Sequence, residues 1–198
     1  PHNPPSLVSR LSTMIESNAS GVVVMSGSLA PGVPDDFYAR CIDRASECGA
    51  MTIVDASGPA LRKACEAGPT VVKINAMEFC RSFEFEPSDE HELADRIRSA
   101  AHSLGAWVVV TRGPAPVWAS DGVDFLAVES PAVQVVSPIG SGDAFAGGLA
   151  SALARGDSIE DSLRLGVACA SANASTPHAA HIDRSLVESL FKSIRIEG

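Results

Sequence analysis

Repeated strand–helix–strand units predict an α/β fold whose mostly parallel sheet is covered by helices on both faces. Three observations carry that expectation. Short, nearly continuous apolar runs recur at residues 21–25, 51–54, 70–74 and 106–110, as strands buried on both sides require. Segments with apolar residues at helical spacing alternate with those runs. A glycine-rich turn then precedes a long helical pattern starting at Ser141. In folds of this class, binding residues gather at the carboxyl ends of the strands.

The elements follow in order. Residues 6–17 place Leu7, Leu11, Met14 and Ile15 on one helical face, and the strand at 21–25 leads into the turn-rich segment Ser26-Gly27-Ser28-Leu29-Ala30-Pro31-Gly32. A helix over 35–48 presents Phe37, Cys41, Ile42 and Ala45, is closed by Gly49, and feeds the strand at 51–54 that ends at Asp55. A short helix over 58–67 precedes the strand at 70–74. Asn75 is placed to cap a following helix, since its side-chain oxygen can accept an orphan first-turn amide. A longer amphipathic helix spans 90–104, before the strand at 106–110. Shorter segments at 116–119, 124–128 and 132–136 predict a small antiparallel addition. Helices return over 141–154, 159–172 and 184–191. No internal repeat or linker interrupts the pattern, so a single domain over 1–198 is expected.

Charge restricts the partners. Among 198 residues, 24 acids against 15 bases give a net charge of −9, the wrong sign for non-specific binding to nucleic acid or to an anionic membrane. No apolar run approaches the roughly 20 residues that span a bilayer, and the start Pro1-His2-Asn3-Pro4-Pro5 is not a secretory signal. The absent initiator Met leads to the expectation of a processed or truncated chain. Five cysteines, never spaced as CxxC, read as free thiols in a reducing cytoplasm.

The segment Ser137-Pro138-Ile139-Gly140-Ser141-Gly142-Asp143-Ala144-Phe145-Ala146-Gly147-Gly148 carries the most chemistry. Gly140 and Gly142 let successive N–H groups converge at a helix start, where the macrodipole adds partial positive charge. From 114 to 181 the acids Asp121, Asp124, Glu129, Asp143, Asp157, Glu160 and Asp161 face only Arg155 and Arg164. An anion held here is therefore held largely by backbone amides. Asp143 stands where it could take a proton from a hydroxyl attacking a phosphate. The same residues also fit a plain turn followed by a dipole-favouring acid.

Other motifs fail. GxGxxG is interrupted by Phe145, and neither GxxxxGK[ST] nor GxSxG occurs. His91-Glu92-Leu93-Ala94-Asp95 ends in Asp where HExxH needs His, and His178 with His181 lacks a third ligand.

Gly140-Ser141-Gly142-Asp143-Ala144-Phe145 with Gly147 resembles the GAGD-type signature of the ribokinase-like (PfkB) carbohydrate kinases. The segment 26–32, Lys73-Ile74-Asn75-Ala76-Met77-Glu78 as an NxxE element, and Val110-Thr111-Arg112-Gly113 as a nucleotide loop match in the same order. The resemblance implies a three-layer ribokinase-like fold and ATP-dependent phosphorylation with Asp143 as base and Gly140, Ser141 and Gly142 in the anion hole. By the same carry-over, Asn75 and Glu78 would arrange Mg²⁺ and phosphate oxygens, with Glu78 toward the metal. Thr111 and Gly113 would line the nucleotide, and Asn173 would lie near the adenine. The spellings at 26–32 and 137–143 are most similar to the 1-phosphofructokinase and tagatose-6-phosphate kinase branch, which implies a sugar phosphate of the fructose 1-phosphate or tagatose 6-phosphate type as acceptor.

The chain departs from the family at Ser137-Pro138, where many relatives have Asp or Asn followed by Thr, and at Arg112 and Pro114 in the nucleotide loop. Lys73 and Arg112 are the nearest cations in sequence for two anionic substrates. Family members also begin with further strands, a lid and sugar contacts, so the N-terminal strands and lid are expected to be missing here. A sheet edge exposed in that way predicts pairing with another chain, as in a homodimer. Two other readings stay open: nucleotide binding without turnover, and a kinase of an unphosphorylated sugar or nucleoside.

Overall fold

The computed structural model describes residues 13–16, 21–179 and 181–198. Among the described residues, seven strands, β1 to β7, follow one another in the sheet in chain order, and helices flank them. The described residues group into two compact units, one holding residues up to 110 together with 120–123, the other 111–119 together with 124–198.

In the first unit, β1 (Val22–Ser26), β2 (Met51–Asp55) and β3 (Val71–Asn75) run parallel. Their register sets Val22 beside Met51, Ser26 beside Asp55, and Ile53 beside Val71. Thr52 and Thr70 tie the second and third strands further, each backbone N–H donating to the other's Oγ1 at 3.0 Å. Around the strands lie α1 (Phe37–Glu47), α2 (Gly58–Glu66), α3 (Ala76–Ser82) and α4 (Glu90–Leu104). Ile53, Val54, Val71, Val72, Ile74 and Phe79 are fully shut from solvent, each such side chain contributing about 1.5–3 kcal/mol of burial free energy. The buried face of α1 is Tyr38, Cys41, Ile42 and Ala45. Tyr38 thus takes the place expected for Phe37, because its hydroxyl can donate to the Ser26 and Gly27 carbonyls at 3.1 Å while its ring stays in the core. The helix expected over 6–17 lies outside the described residues except at 13–16, which are helical and joined to α1 by an ion pair between Glu16 and Arg44. The strand β4 (Trp107–Arg112) carries the chain out of this unit.

The second unit contains β5 (Ala115–Ser120), β6 (Phe125–Val128), β7 (Ile196–Glu197), α5 (Ser141–Arg155), α6 (Ile159–Ala174) and α7 (Arg184–Ser193). The strand expected at 132–136 is not formed. The Val136 and Ser137 amides both donate to the Ala174 carbonyl, at 2.7 and 3.1 Å, so that segment is tied to the end of α6. The antiparallel partner of β6 is the terminal pair Ile196–Glu197, with Val128 opposite Ile196. Helices α5 and α6 pack closely because each presents a glycine. A Cβ on Gly148 would sit 2.8 Å from the Leu165 carbonyl oxygen, and one on Gly166 would meet the Phe145 ring at 3.1 Å.

Candidate active site

The start of α5 is built from glycine. Gly140 is its N-cap with φ 83° and ψ −2°, a left-handed conformation that costs a side-chain-bearing residue strain. The Ser141 amide donates to the Pro138 carbonyl at 3.2 Å, and the first helical bond runs from the Ala144 amide to the Gly140 carbonyl at 2.9 Å. No side chain caps this helix. Gly142 and Asp143 are exposed, and Asp143 lies in the first turn. An uncapped, solvent-facing first turn with glycines on both sides can receive an anion on its backbone amides, favoured by the helix macrodipole.

Behind that turn sits Asn173, fully buried in the last turn of α6. Its Nδ2 donates to the Ile139 carbonyl at 2.9 Å and to the Ser141 Oγ at 3.0 Å, while its Oδ1 has no hydrogen-bond partner. Asn173, the residue expected near an adenine, thus holds the loop before α5. Thr111 and Arg112 end β4, and Gly113, with φ 64°, forms the turn into β5. The Arg112 guanidinium lies 3.6 Å over the Trp118 ring, a cation–π contact.

In the first unit, Asn75 and Glu78 come together as the spacing required. Asn75 ends β3 and caps α3, its Oδ1 accepting the Glu78 amide at 2.9 Å. That bond fixes the Glu78 backbone one turn inside the helix, with its half-buried carboxylate in the first turn. Among the described residues no three His, Cys, Asp or Glu side chains cluster as a metal cage. One carboxylate is still compatible with Mg²⁺, which keeps several waters and takes its other ligands from substrate phosphates.

Lys73 corrects an expectation. It is buried within β3 and its Nζ donates to Asp55 Oδ2 at 2.6 Å, so it is a neutralised internal ion and not a cation facing solvent. Breaking such a pair by removing one partner costs about 3–5 kcal/mol. Sequence reasoning missed this pair, although a Lys within an apolar run and an Asp closing the adjacent parallel strand were the available signals.

The family model for pfkB family carbohydrate kinases matches residues 13–184. The tagatose-6-phosphate kinase of Staphylococcus epidermidis is 32% identical over an aligned length of 178 residues, covering 88% of this chain and 57% of that protein. Phosphofructokinase-2 from Escherichia coli, solved in complex with potassium, superposes with a TM-score of 0.86 at 28% identity, over 94% of this chain and 61% of that one. Ribokinase from Arabidopsis thaliana, complexed with ribose and ATP, shares the fold with a TM-score of 0.76 at 22% identity, over 91% of this chain and 58% of that one. The chain therefore spans little more than half the length of the curated relatives it matches.

Proposed function

Because this chain belongs to the pfkB family of carbohydrate kinases and has a ribokinase-like α/β fold, we propose that it forms the nucleotide-binding and catalytic part of an ATP-dependent kinase whose acceptor is a sugar phosphate. The observation that carries the reading is the start of α5, where a left-handed Gly140 opens an uncapped helix with Asp143 in its first turn. The Asp143 carboxylate takes the proton of the attacking sugar hydroxyl. The new bond forms between that oxygen and the γ-phosphorus, the bond from γ-phosphorus to the β-bridging oxygen breaks, and ADP leaves. The amides of Gly140, Gly142 and Asp143 meet the charge that grows on the transferring group, while the Ser141 amide is bonded to the Pro138 carbonyl and holds the turn.

Glu78 is the residue that would hold Mg²⁺, through its carboxylate or an intervening water. When bound, that ion neutralises phosphate charge. Asn75 keeps Glu78 in place through its cap, and Thr111 and Gly113 line the nucleotide. The acceptor class, a fructose 1-phosphate or tagatose 6-phosphate type, rests on the spelling of 26–32 and 137–143 and is supported by the similarity to the tagatose-6-phosphate kinase. The single-domain organisation belongs to the same proposal. So does a cytoplasmic setting, supported by five free cysteines and by described helices that are all too short or too polar to cross a membrane. Pairing with a second copy, as a homodimer, belongs to the same proposal.

The test is a coupled kinase assay with ATP·Mg²⁺ and a panel of sugar phosphates and their dephosphorylated sugars, beside calorimetric titration with ATP·Mg²⁺. Turnover restricted to sugar phosphates is the expected outcome. Turnover of the dephosphorylated sugars instead would move the acceptor class. Binding without turnover would leave the chain as a nucleotide-binding unit, and no binding at all would overturn the reading.

A further inference from the structure

Four hydrogen bonds connect the C-terminal end of α6 to the segment that enters α5. The Ala174 carbonyl accepts the Val136 and Ser137 amides, and Asn173 Nδ2 donates to the Ile139 carbonyl and to Ser141 Oγ. They grip the chain on both sides of Pro138, immediately before the left-handed Gly140. We propose that Asn173 is a positioning residue, which sets the conformation of the 136–141 loop and so aims the first-turn amides of α5 at their anion.

The physical case rests on where Asn173 is and what it lacks. It is fully buried at the end of a helix, where an apolar side chain of its size would pack without polar cost. It carries instead a buried Oδ1 with no partner, an arrangement that burdens stability. Its two donated bonds go to a loop in which no residue is buried, with Ile139 and Val136 among the exposed large apolar residues. Such a loop has little burial of its own to fix one conformation. A donor reaching it from a packed helix supplies that fixation, and the close α5–α6 contact through Gly148 and Gly166 keeps the donor's helix in register with α5. The buried polar residue is thus explained by the shape of the loop and not by the stability of the helix.

The inference rests on the proposed role of α5 as the anion site, so its test separates the two. Asn173→Leu and Asn173→Asp are compared with the unaltered protein by thermal unfolding, hydrogen exchange of peptides covering 136–144, and calorimetry with ATP·Mg²⁺. Asn173→Leu removes the donors together with the orphaned acceptor, whereas Asn173→Asp keeps the shape and places a second acceptor against the Ile139 carbonyl. For Asn173→Leu the expected result is an unfolding temperature equal to or above that of the unaltered protein, with exchange over 136–144 about tenfold faster and ATP affinity lower by a similar factor. Asn173→Asp shows the same loop and binding changes together with a lower unfolding temperature. Loop exchange unchanged in a folded Asn173→Leu protein overturns the proposal. Loop exchange that rises while the unaltered protein itself binds no ATP overturns the anion site and leaves the positioning role intact.

Discussion

Helices α5 and α6 lie in the same unit, pack against each other, and each carries an aspartate three residues after its N-cap, yet they begin in opposite ways. Ser158 closes α6 with its own side chain, accepting the Asp161 amide at 3.2 Å, and the Asp161 carboxylate is engaged by Arg164 at 3.1 Å. Gly140 opens α5 with no side chain to offer, and Asp143 stands exposed in the first turn. On the proposed function, the difference separates two uses of one motif. Where a helix start serves the fold, a hydroxyl or carboxylate satisfies the orphan amides and costs nothing in strain. Where it serves a ligand, glycine holds the chain in a conformation that leaves those amides for another molecule.

The sharpest way to break this comparison is to remove the two aspartates in turn. Asp143→Asn should lower kcat by about 10²–10⁴, the range for loss of a general base, with little change in ATP affinity. Asp161→Asn should leave kcat within about twofold and cost only about 0–1 kcal/mol of stability, as expected for an exposed ion pair. Steady-state kinetics and calorimetry on both variants check the pair. Equal effects would mean that the acid of α5 is as structural as the acid of α6.

The caps themselves give a smaller but cleaner contrast. Gly140→Ala places a side chain at φ 83° and should cost about 1–3 kcal/mol through strain, and it should weaken ATP binding because the amides can no longer keep their direction. Ser158→Ala should cost about 1 kcal/mol of stability through loss of the cap and leave ATP binding unchanged. Denaturant unfolding and calorimetry separate the two outcomes. A Gly140→Ala protein with unaltered affinity would show that the left-handed cap is dispensable for the anion.

How far the sequence alone reached follows the same division. The parallel strands, the long helices and the glycine-built turn were legible because each is written locally, as an apolar run, a helical period or a pair of glycines. Asn75 as a cap was legible for the same reason, and its bond to the Glu78 amide was found where the spacing put it. The segment 132–136 misled because its alternation of apolar residues fits a strand, whereas the Val136 amide and that of Ser137 after it are taken by the Ala174 carbonyl almost forty residues away. The terminal strand Ile196–Glu197 is too short to carry a period of its own. Lys73 with Asp55 and Asn173 with the 136–141 loop were hidden for one shared reason: each depends on which residues two separate elements bring side by side, and no local pattern records that.

The smallest expected effect concerns the third helix of the unit, α7, whose start is capped by a carboxylate. Asp183 accepts the Ser185 hydroxyl at 2.7 Å and the Ser185 and Leu186 amides at 2.8 and 3.3 Å, and these bonds hold its carboxyl below the usual carboxylate range, the Ser185 hydroxyl being the largest cause and His181 a minor one. A carboxyl depressed in the folded state binds fewer protons there than in the unfolded chain, so its contribution is present above the unfolded value and is lost as pH falls through the folded one. Asp183→Asn keeps a good cap but removes the titration, since Asn and Asp rank together at this position. Unfolding temperature recorded from about pH 6 down to about pH 2 should therefore fall slightly less steeply in Asp183→Asn than in the unaltered protein. The same scan on Gly140→Ala should run parallel to the unaltered protein, because the start of α5 has no side-chain cap to protonate. If Asp183→Asn also ran parallel, the cap of α7 would contribute through shape alone, and the distinction between helix starts closed by charge and those left open by glycine would narrow to one of backbone conformation.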